Sequence, residues 1–120
     1  MACLIDVPTF TDSRGSLSVV EDLLPFAIAR AYYIYDVVGS RGGHRHKCTR
    51  QALICLSGSC VVYVDNGVTQ TSYNLISPKQ CLLIEPEDWH TMQEFSPSAT
   101  LLVFASEPYD VYDYIDEPYS

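Results

Sequence analysis

All three histidines of the chain fall in two short segments, Arg41-Gly42-Gly43-His44-Arg45-His46-Lys47 and Glu85-Pro86-Glu87-Asp88-Trp89-His90. On a β-strand, His44 and His46 lie two residues apart and project from the same face, so two imidazoles can converge on one pocket. Imidazole exchanges a proton near neutral pH, and a converging pair can move protons or bind a metal ion. A lone histidine would read as a satisfied core residue, whereas a pair behind an Arg-Gly-Gly segment reads as chemistry. Cations gather at the same place. Of the seven Lys and Arg residues, Arg30, Arg41, Arg45, Lys47 and Arg50 lie between positions 30 and 50, and none follows Lys79. The whole chain is acidic, with a formal net charge of -8. That balance argues against a nucleic-acid partner or an anionic membrane surface, but it leaves room for a small anion beside the histidines.

The elements that must position these side chains are strands. Polar and apolar residues alternate with a period near two, and turn signals recur every eight to twelve residues. Expected strands are 2–7, 16–21, 27–38, 50–56, 59–65, 68–74, 80–84 and 99–106, with a shorter one near 90–95. Asp65-Asn66-Gly67 predicts a hairpin, because Asn-Gly tolerates the positive φ values of a tight type I′ turn. The pattern as a whole predicts an all-β jelly roll or small barrel in one domain, 1–120, a length that fits a single core. The acidic tail Tyr109–Tyr119, with four tyrosines, is too aromatic to read as disordered and is expected to pack on the barrel or on a partner subunit. No apolar run approaches the roughly 18 residues that a membrane helix needs. The first ten residues lack a basic, then apolar leader, so a cytoplasmic location is expected. The cysteines number five, without a CxxC, and are expected to be reduced, buried small hydrophobes.

The spacing then reaches a family resemblance. Gly39 through Gly58 resembles the first motif of the cupins, a His-x-His pair followed by an acidic ligand and a glycine turn, and Pro86 through His90 resembles the second. Gln51 stands where the acidic ligand is usual, and a neutral amide weakens a divalent-metal site. A closer match covers about Phe10 to Tyr114. Phe10-Thr11-Asp12-Ser13-Arg14-Gly15-Ser16-Leu17, Pro25 through Ile34, Arg41 through Lys47, Gln51 through Ser59, Trp89-His90 and Ala105 through Tyr109 together resemble the sugar-nucleotide 3,4-ketoisomerases of the WxcM-like cupin family.

What the resemblance implies is a cupin-type barrel in a strand-exchanged homodimer, and an isomerase that uses no metal or other cofactor. Its substrate would be dTDP-4-keto-6-deoxy-D-glucose, whose ketone moves from carbon 4 to carbon 3. An α-hydroxyketone isomerises by losing a proton from carbon 3, passing through an enediol and gaining a proton at carbon 4, while a proton passes between the two oxygens. Two adjacent groups of near-neutral pKa serve that need. By resemblance His44 handles the carbon-bound proton and His46 the oxygen-bound one, with the reverse order left open. Arg30, Tyr32 and Gln51 are candidate donors to the enediolate. Arg41 or Arg14 suits the diphosphate, although Arg14 can equally close a turn with Asp12. Trp89 offers either a face to thymine or a core residue. His90 and Gln93 are expected to pass the same cavity and to influence which face of the enediol is protonated. Arg45 and Lys47 are expected to face solvent. The competing readings are a metal-dependent cupin using His44, His46 and His90, a cupin that binds a nucleotide sugar without turning it over, and a 3,5-epimerase.

Overall fold

A computed structural model describes residues 1–120 as an almost entirely β structure. Its strands are β1 (Cys3–Asp6), β2 (Thr9–Asp12), β3 (Gly15–Ser18), β4 (Arg30–Tyr35), β5 (Arg41–His46), β6 (Gln51–Ser57), β7 (Cys60–Asp65), β8 (Gln70–Leu75), β9 (Gln80–Ile84), β10 (Trp89–Gln93), β11 (Thr100–Ala105) and β12 (Tyr114–Ile115). One five-stranded sheet has the order β1-β9-β6-β11-β4 and a second the order β12-β5-β10-β7-β8, while β2 and β3 form a separate two-stranded hairpin. All pairings are antiparallel. The two large sheets share no ladder, so the jelly roll is an open two-layer sandwich rather than a closed barrel.

The period of two explains the layering. Along β6, Leu53 and Cys55 turn inward to meet Val62, Val64, Leu75, Leu82, Leu101 and Val103 in the core between the sheets. The alternate residues Ala52 and Ile54 turn outward, where Val20, Leu23, Leu24 and Phe26 cover them in a second apolar cluster. This strand is buried on both faces and therefore reads as a continuous apolar run.

Several expectations are corrected in detail. The expected strand 27–38 contracts to Arg30–Tyr35, ended by Asp36 in a left-handed conformation with φ of 52°. A hairpin does follow Asp65, but its loop is Asn66–Thr69, held by the Asn66 side-chain oxygen accepting from the Val68 and Thr69 amides, and the strand resumes only at Gln70. Thr9–Asp12 and Arg41–His46 are strands that the pattern did not delimit. Cys55, Cys60 and Cys81 are buried thiols as expected, but Cys3 and Cys48 are exposed. The tail forms a short turn of 3-10 helix at Val111–Asp113 and then β12, which pairs with β5 of the same chain. No helix is long and apolar enough to cross a membrane.

Candidate active site

The site is built from β4 of the first sheet, β5 and β10 of the second, and the tail. Strand β5 carries His44 and His46, and its own residues contribute little apolar adhesion. Its position is fixed by β10 on one side and β12 on the other. His90 pairs with His44, but the next residue, Thr91, pairs with Gly42, so the ladder contains a bulge with Gly43 as the extra residue. Gly42 has φ of 85°, and a Cβ there would lie 2.9 Å from the His90 carbonyl oxygen. Only glycine lets the two backbones approach so closely. The bulge also inverts the alternation beyond it. In an unbroken strand Arg41 would face away from His44, yet here both line one cavity.

That cavity, of about 380 Å³, is lined by Arg30, Tyr32, Ile34, Arg41, His44, Met92, Tyr109 and Tyr114, among others. Of the three imidazoles only His44 lines it, and the buried rings of His46 and His90 gather around His44. The His44 ring centroid lies 5.0 Å from that of His46 and 5.2 Å from that of His90. Tyr114 packs edge-on against both His44 and His46, at 4.7 and 4.6 Å. Gln51 is 2% exposed, donates from Nε2 to the Tyr32 hydroxyl at 3.1 Å, and keeps its Oε1 buried without a partner. The Arg30 guanidinium is sandwiched between the rings of Tyr32 and Tyr109, at 5.0 and 5.4 Å. Its Nε is likewise buried and unpartnered. Such orphaned polar atoms around one cavity mark groups arranged for a polar guest.

The electrostatics follow from burial. Desolvation, reinforced by the neighbouring His46, takes the His44 pKa down to about 4. Desolvation takes His90, whose Nδ1 hydrogen-bonds the Asp88 carbonyl at 3.0 Å, down to about 3. His46 is also lowered by burial, against the opposing pull of Asp113, whose Oδ2 lies 2.8 Å from its Nδ1. The imidazoles are therefore neutral at pH 7, the state in which a histidine can accept a proton. They are also the donors that a metal-binding cupin would offer, with the neutral Gln51 in the usual place of an anionic fourth ligand.

Of the residues singled out from the sequence, His44, His46, His90, Arg30, Tyr32, Arg41 and Gln51 come together. Three do not. Trp89 and Gln93 lie at odd distances from His90 along β10, so strand alternation turns them to the opposite face. Trp89 packs against Tyr63 and donates from Nε1 to the Asp116 carbonyl at 3.1 Å, anchoring the tail. Gln93 accepts from the Thr91 hydroxyl. Arg14 sits in the β2–β3 turn, paired with Asp12 at 2.6 Å, and lines none of the histidine cavity. Lys47 is exposed as expected, but Arg45 is half-buried beneath Tyr119, at 4.8 Å from its ring. Sequence reasoning missed Tyr109, Asp113 and Tyr114, the tail residues that complete the site. Their signal was the tyrosine density of the tail, which suggested packing without saying against what.

Comparison with known proteins gives this geometry a family. The family model described as FdtA: WxcM-like, C-terminal matches residues 2–120. The TDP-4-oxo-6-deoxy-alpha-D-glucose-3,4-oxoisomerase of Aneurinibacillus thermoaerophilus is 43% identical over 116 residues, covering 93% of this chain and 84% of that protein. The WlaRB TDP-quinovose 3,4-ketoisomerase of Campylobacter jejuni superposes with a TM-score of 0.92 at 38% identity, over 97% of this chain and 92% of that one. A mutant of the QdtA 3,4-ketoisomerase of Thermoanaerobacterium thermosaccharolyticum, solved with TDP-4-keto-6-deoxyglucose, gives a TM-score of 0.93 at 37% identity, over 97% of this chain and 87% of that one. With the whole chain matched and the identity well above the level at which only fold is shared, the protein belongs to the FdtA, WxcM-like family and is an isomerase of the 3,4-ketoisomerase type.

Proposed function

We propose that the chain converts dTDP-4-keto-6-deoxy-D-glucose to its 3-keto isomer through an enediol, with His44 and His46 moving the protons. The observation that carries this reading is one cavity lined by His44, Arg30 and Tyr32, with the neutral imidazole of His46 packed against His44 and the buried Gln51 donating to Tyr32. His44, unprotonated at pH 7, takes the proton from carbon 3 and returns it to carbon 4. His46 carries the proton between the two oxygens. Arg30, with Gln51 acting through Tyr32, supports the developing enediolate, because preorganised dipoles in a dry site stabilise charge where it forms. A cavity of about 380 Å³ accommodates the hexose, and its exposed lining residues Arg41 and Tyr109 are left to meet the nucleotide. The likeness to an isomerase of the same substrate and to a structure holding it supports the assignment.

The test is to incubate metal-stripped protein with dTDP-4-keto-6-deoxyglucose in deuterated water and to follow the sugar by NMR. A ketone arriving at carbon 3 is the expected result. Exchange of hydrogen at carbons 3 and 5 with the ketone still at carbon 4 would indicate an epimerase instead. Recovery of activity only on added metal would indicate a metal-dependent cupin.

We further propose that the protein works as a homodimer. Strand β1 and the tail both pair within their own chain, so the element left without a neighbour is the β2–β3 hairpin, whose Phe10 and Leu17 are 66% and 59% exposed. An isolated two-stranded hairpin is only marginally stable in water, and a second copy would cover these side chains. Arg14, at the hairpin turn, would then face the neighbouring chain. Light scattering on Phe10→Asp should report monomer where the wild type reports dimer; an unchanged mass would remove the hairpin from the interface.

A further inference from the structure

His46 is the only imidazole of the site held by an anion. Its Nδ1 lies 2.8 Å from Oδ2 of Asp113, a residue of the C-terminal turn some seventy positions away in sequence and, at 10% side-chain exposure, nearly buried. By contrast, Nδ1 of His90 meets a backbone carbonyl, and His44 has no carboxylate partner. The Asp113 carboxylate is itself aimed from two sides. Thr49 Oγ1 donates to the same Oδ2 at 2.5 Å, and the Cys48 amide donates to Oδ1 at 2.7 Å. The backbone is pinned too, since the Lys47 amide donates to the Asp113 carbonyl at 2.8 Å and Tyr114 pairs with His46 in the β12–β5 ladder. Burial would raise this carboxyl, but the donations from Thr49, Cys48 and His46 outweigh it and keep Asp113 ionised.

An ionised carboxylate can only accept. His46 Nδ1 must therefore donate, which puts the single proton of the neutral ring on Nδ1 and leaves Nε2 bare. His46 Nε2 is buried in the site and has no protein partner. Building on the ketoisomerase reading, we propose that Asp113 is a positioning residue of the reaction, fixing His46 in its Nδ1–H tautomer and confining the oxygen-to-oxygen transfer to Nε2. In this transfer the O3–H bond breaks as Nε2–H forms, and Nε2–H then breaks as O4–H forms. The ring passes through a doubly protonated cation beside Asp113 and ends as it began, and Asp113 itself never takes the proton. A carboxylate oriented by fixed donors both favours that cation and stops the ring from turning, which a relay between two neighbouring oxygens requires.

Replacement by asparagine makes the proposal sharp. The Cys48 amide would continue to claim the side-chain oxygen, so the new amide nitrogen would face His46 and turn Nδ1 into an acceptor. The proton would then move to Nε2 and block the base. Two-bond 1H–15N spectra of the labelled full-length protein at pH 7 should show His46 as Nδ1–H in the wild type and as Nε2–H in Asp113→Asn. That variant should lose at least about 10²-fold in kcat with KM little changed, by analogy with tautomer loss in other histidine–carboxylate pairs. Thr49→Val keeps the carboxylate and should keep the tautomer, with a loss in kcat smaller than that of Asp113→Asn. A wild-type His46 protonated on Nε2 overturns the proposal, as does an Asp113→Asn enzyme with unchanged kcat. So does a loss in that variant confined to KM, which is what mere stapling of the tail would give. If Asp113→Asn does not fold, as judged by circular dichroism, the wild-type tautomer and Thr49→Val decide. Absence of isomerisation in the wild type would instead overturn the ketoisomerase reading, and the tautomer would still be read independently.

Discussion

Strands β5 and β6 are consecutive, separated by the turn 47–50, and they could hardly be more different. β6 places Ala52, Leu53, Ile54 and Cys55 in the interior, each at most 3% exposed. β5, Arg-Gly-Gly-His-Arg-His, has no aliphatic side chain at all. The first holds itself in place by hydrophobic burial on both faces. The second is held by others, through the β10 ladder, the tail strand β12, and the Asp113 carboxylate that ties His46 to the turn after it. The contrast teaches that a strand given over to chemistry must borrow its stability from elements distant in sequence.

If that division is real, perturbing the two strands should separate activity from stability. The largest effect is expected from His44→Asn, which should lower kcat by about 10²–10⁴-fold, the range for losing a general base, while leaving the thermal midpoint nearly unchanged. A substantial fall in melting temperature would show that β5 contributes to stability after all. Leu53→Ala should do the converse, with a loss of about 2–5 kcal/mol in denaturant titrations and a wild-type kcat per folded molecule. Gly42→Ala attacks the seam between the two regimes. Its new Cβ would sit 2.9 Å from the His90 carbonyl oxygen on a backbone with φ of 85°, so stability should fall by about 1–3 kcal/mol and kcat should fall with it. A variant impaired in only one of these would mean that the bulge does not set the cavity.

The gentlest probe is pH. Unfolded histidines titrate near 6.5, but His44 and His90 are held neutral in the fold down to about 4 and about 3. The unfolded state therefore binds more protons below about pH 6.5, and the stability contributed by these groups is present above that value and drains away as pH falls toward 4. Denaturant midpoints measured at pH 7, 5.5 and 4.5 should decline in order. A flat profile would mean that the imidazoles are solvated.

The same contrast explains what could be read from the sequence. β6, β7, β9 and β11 were legible because burial imposes an apolar pattern of period two or an unbroken apolar run, and the His-x-His spacing was legible because same-face geometry needs no tertiary information. Strand β5 escaped delimitation because glycine and charge erase that pattern. Parity settles where Gln93 and Trp89 lie, since a strand turns residues at odd separation away from His90, and of its two readings Trp89 takes the packed one, against Tyr63. Arg41 reaches the cavity only because of a bulge that no local pattern announces. The largest omission, the tail, is a matter of long-range closure: nothing in Asp113 or Tyr114 signals a partner nearly seventy residues earlier.

That closure also sets how the enzyme should fail. The tail joins the second sheet through a ladder of only two residues, Tyr114 and Ile115, through the bonds of Asp113 to His46 and the turn after it, and through the Trp89 bond to the Asp116 carbonyl. Such a segment belongs to the class that opens by local fluctuation long before the sandwich melts. Its amides should exchange with solvent early, and heat should silence the enzyme at a temperature where far-ultraviolet circular dichroism still reports an intact β fold. Cooling would restore function without any refolding of the core, because the only thing lost would be the last strand.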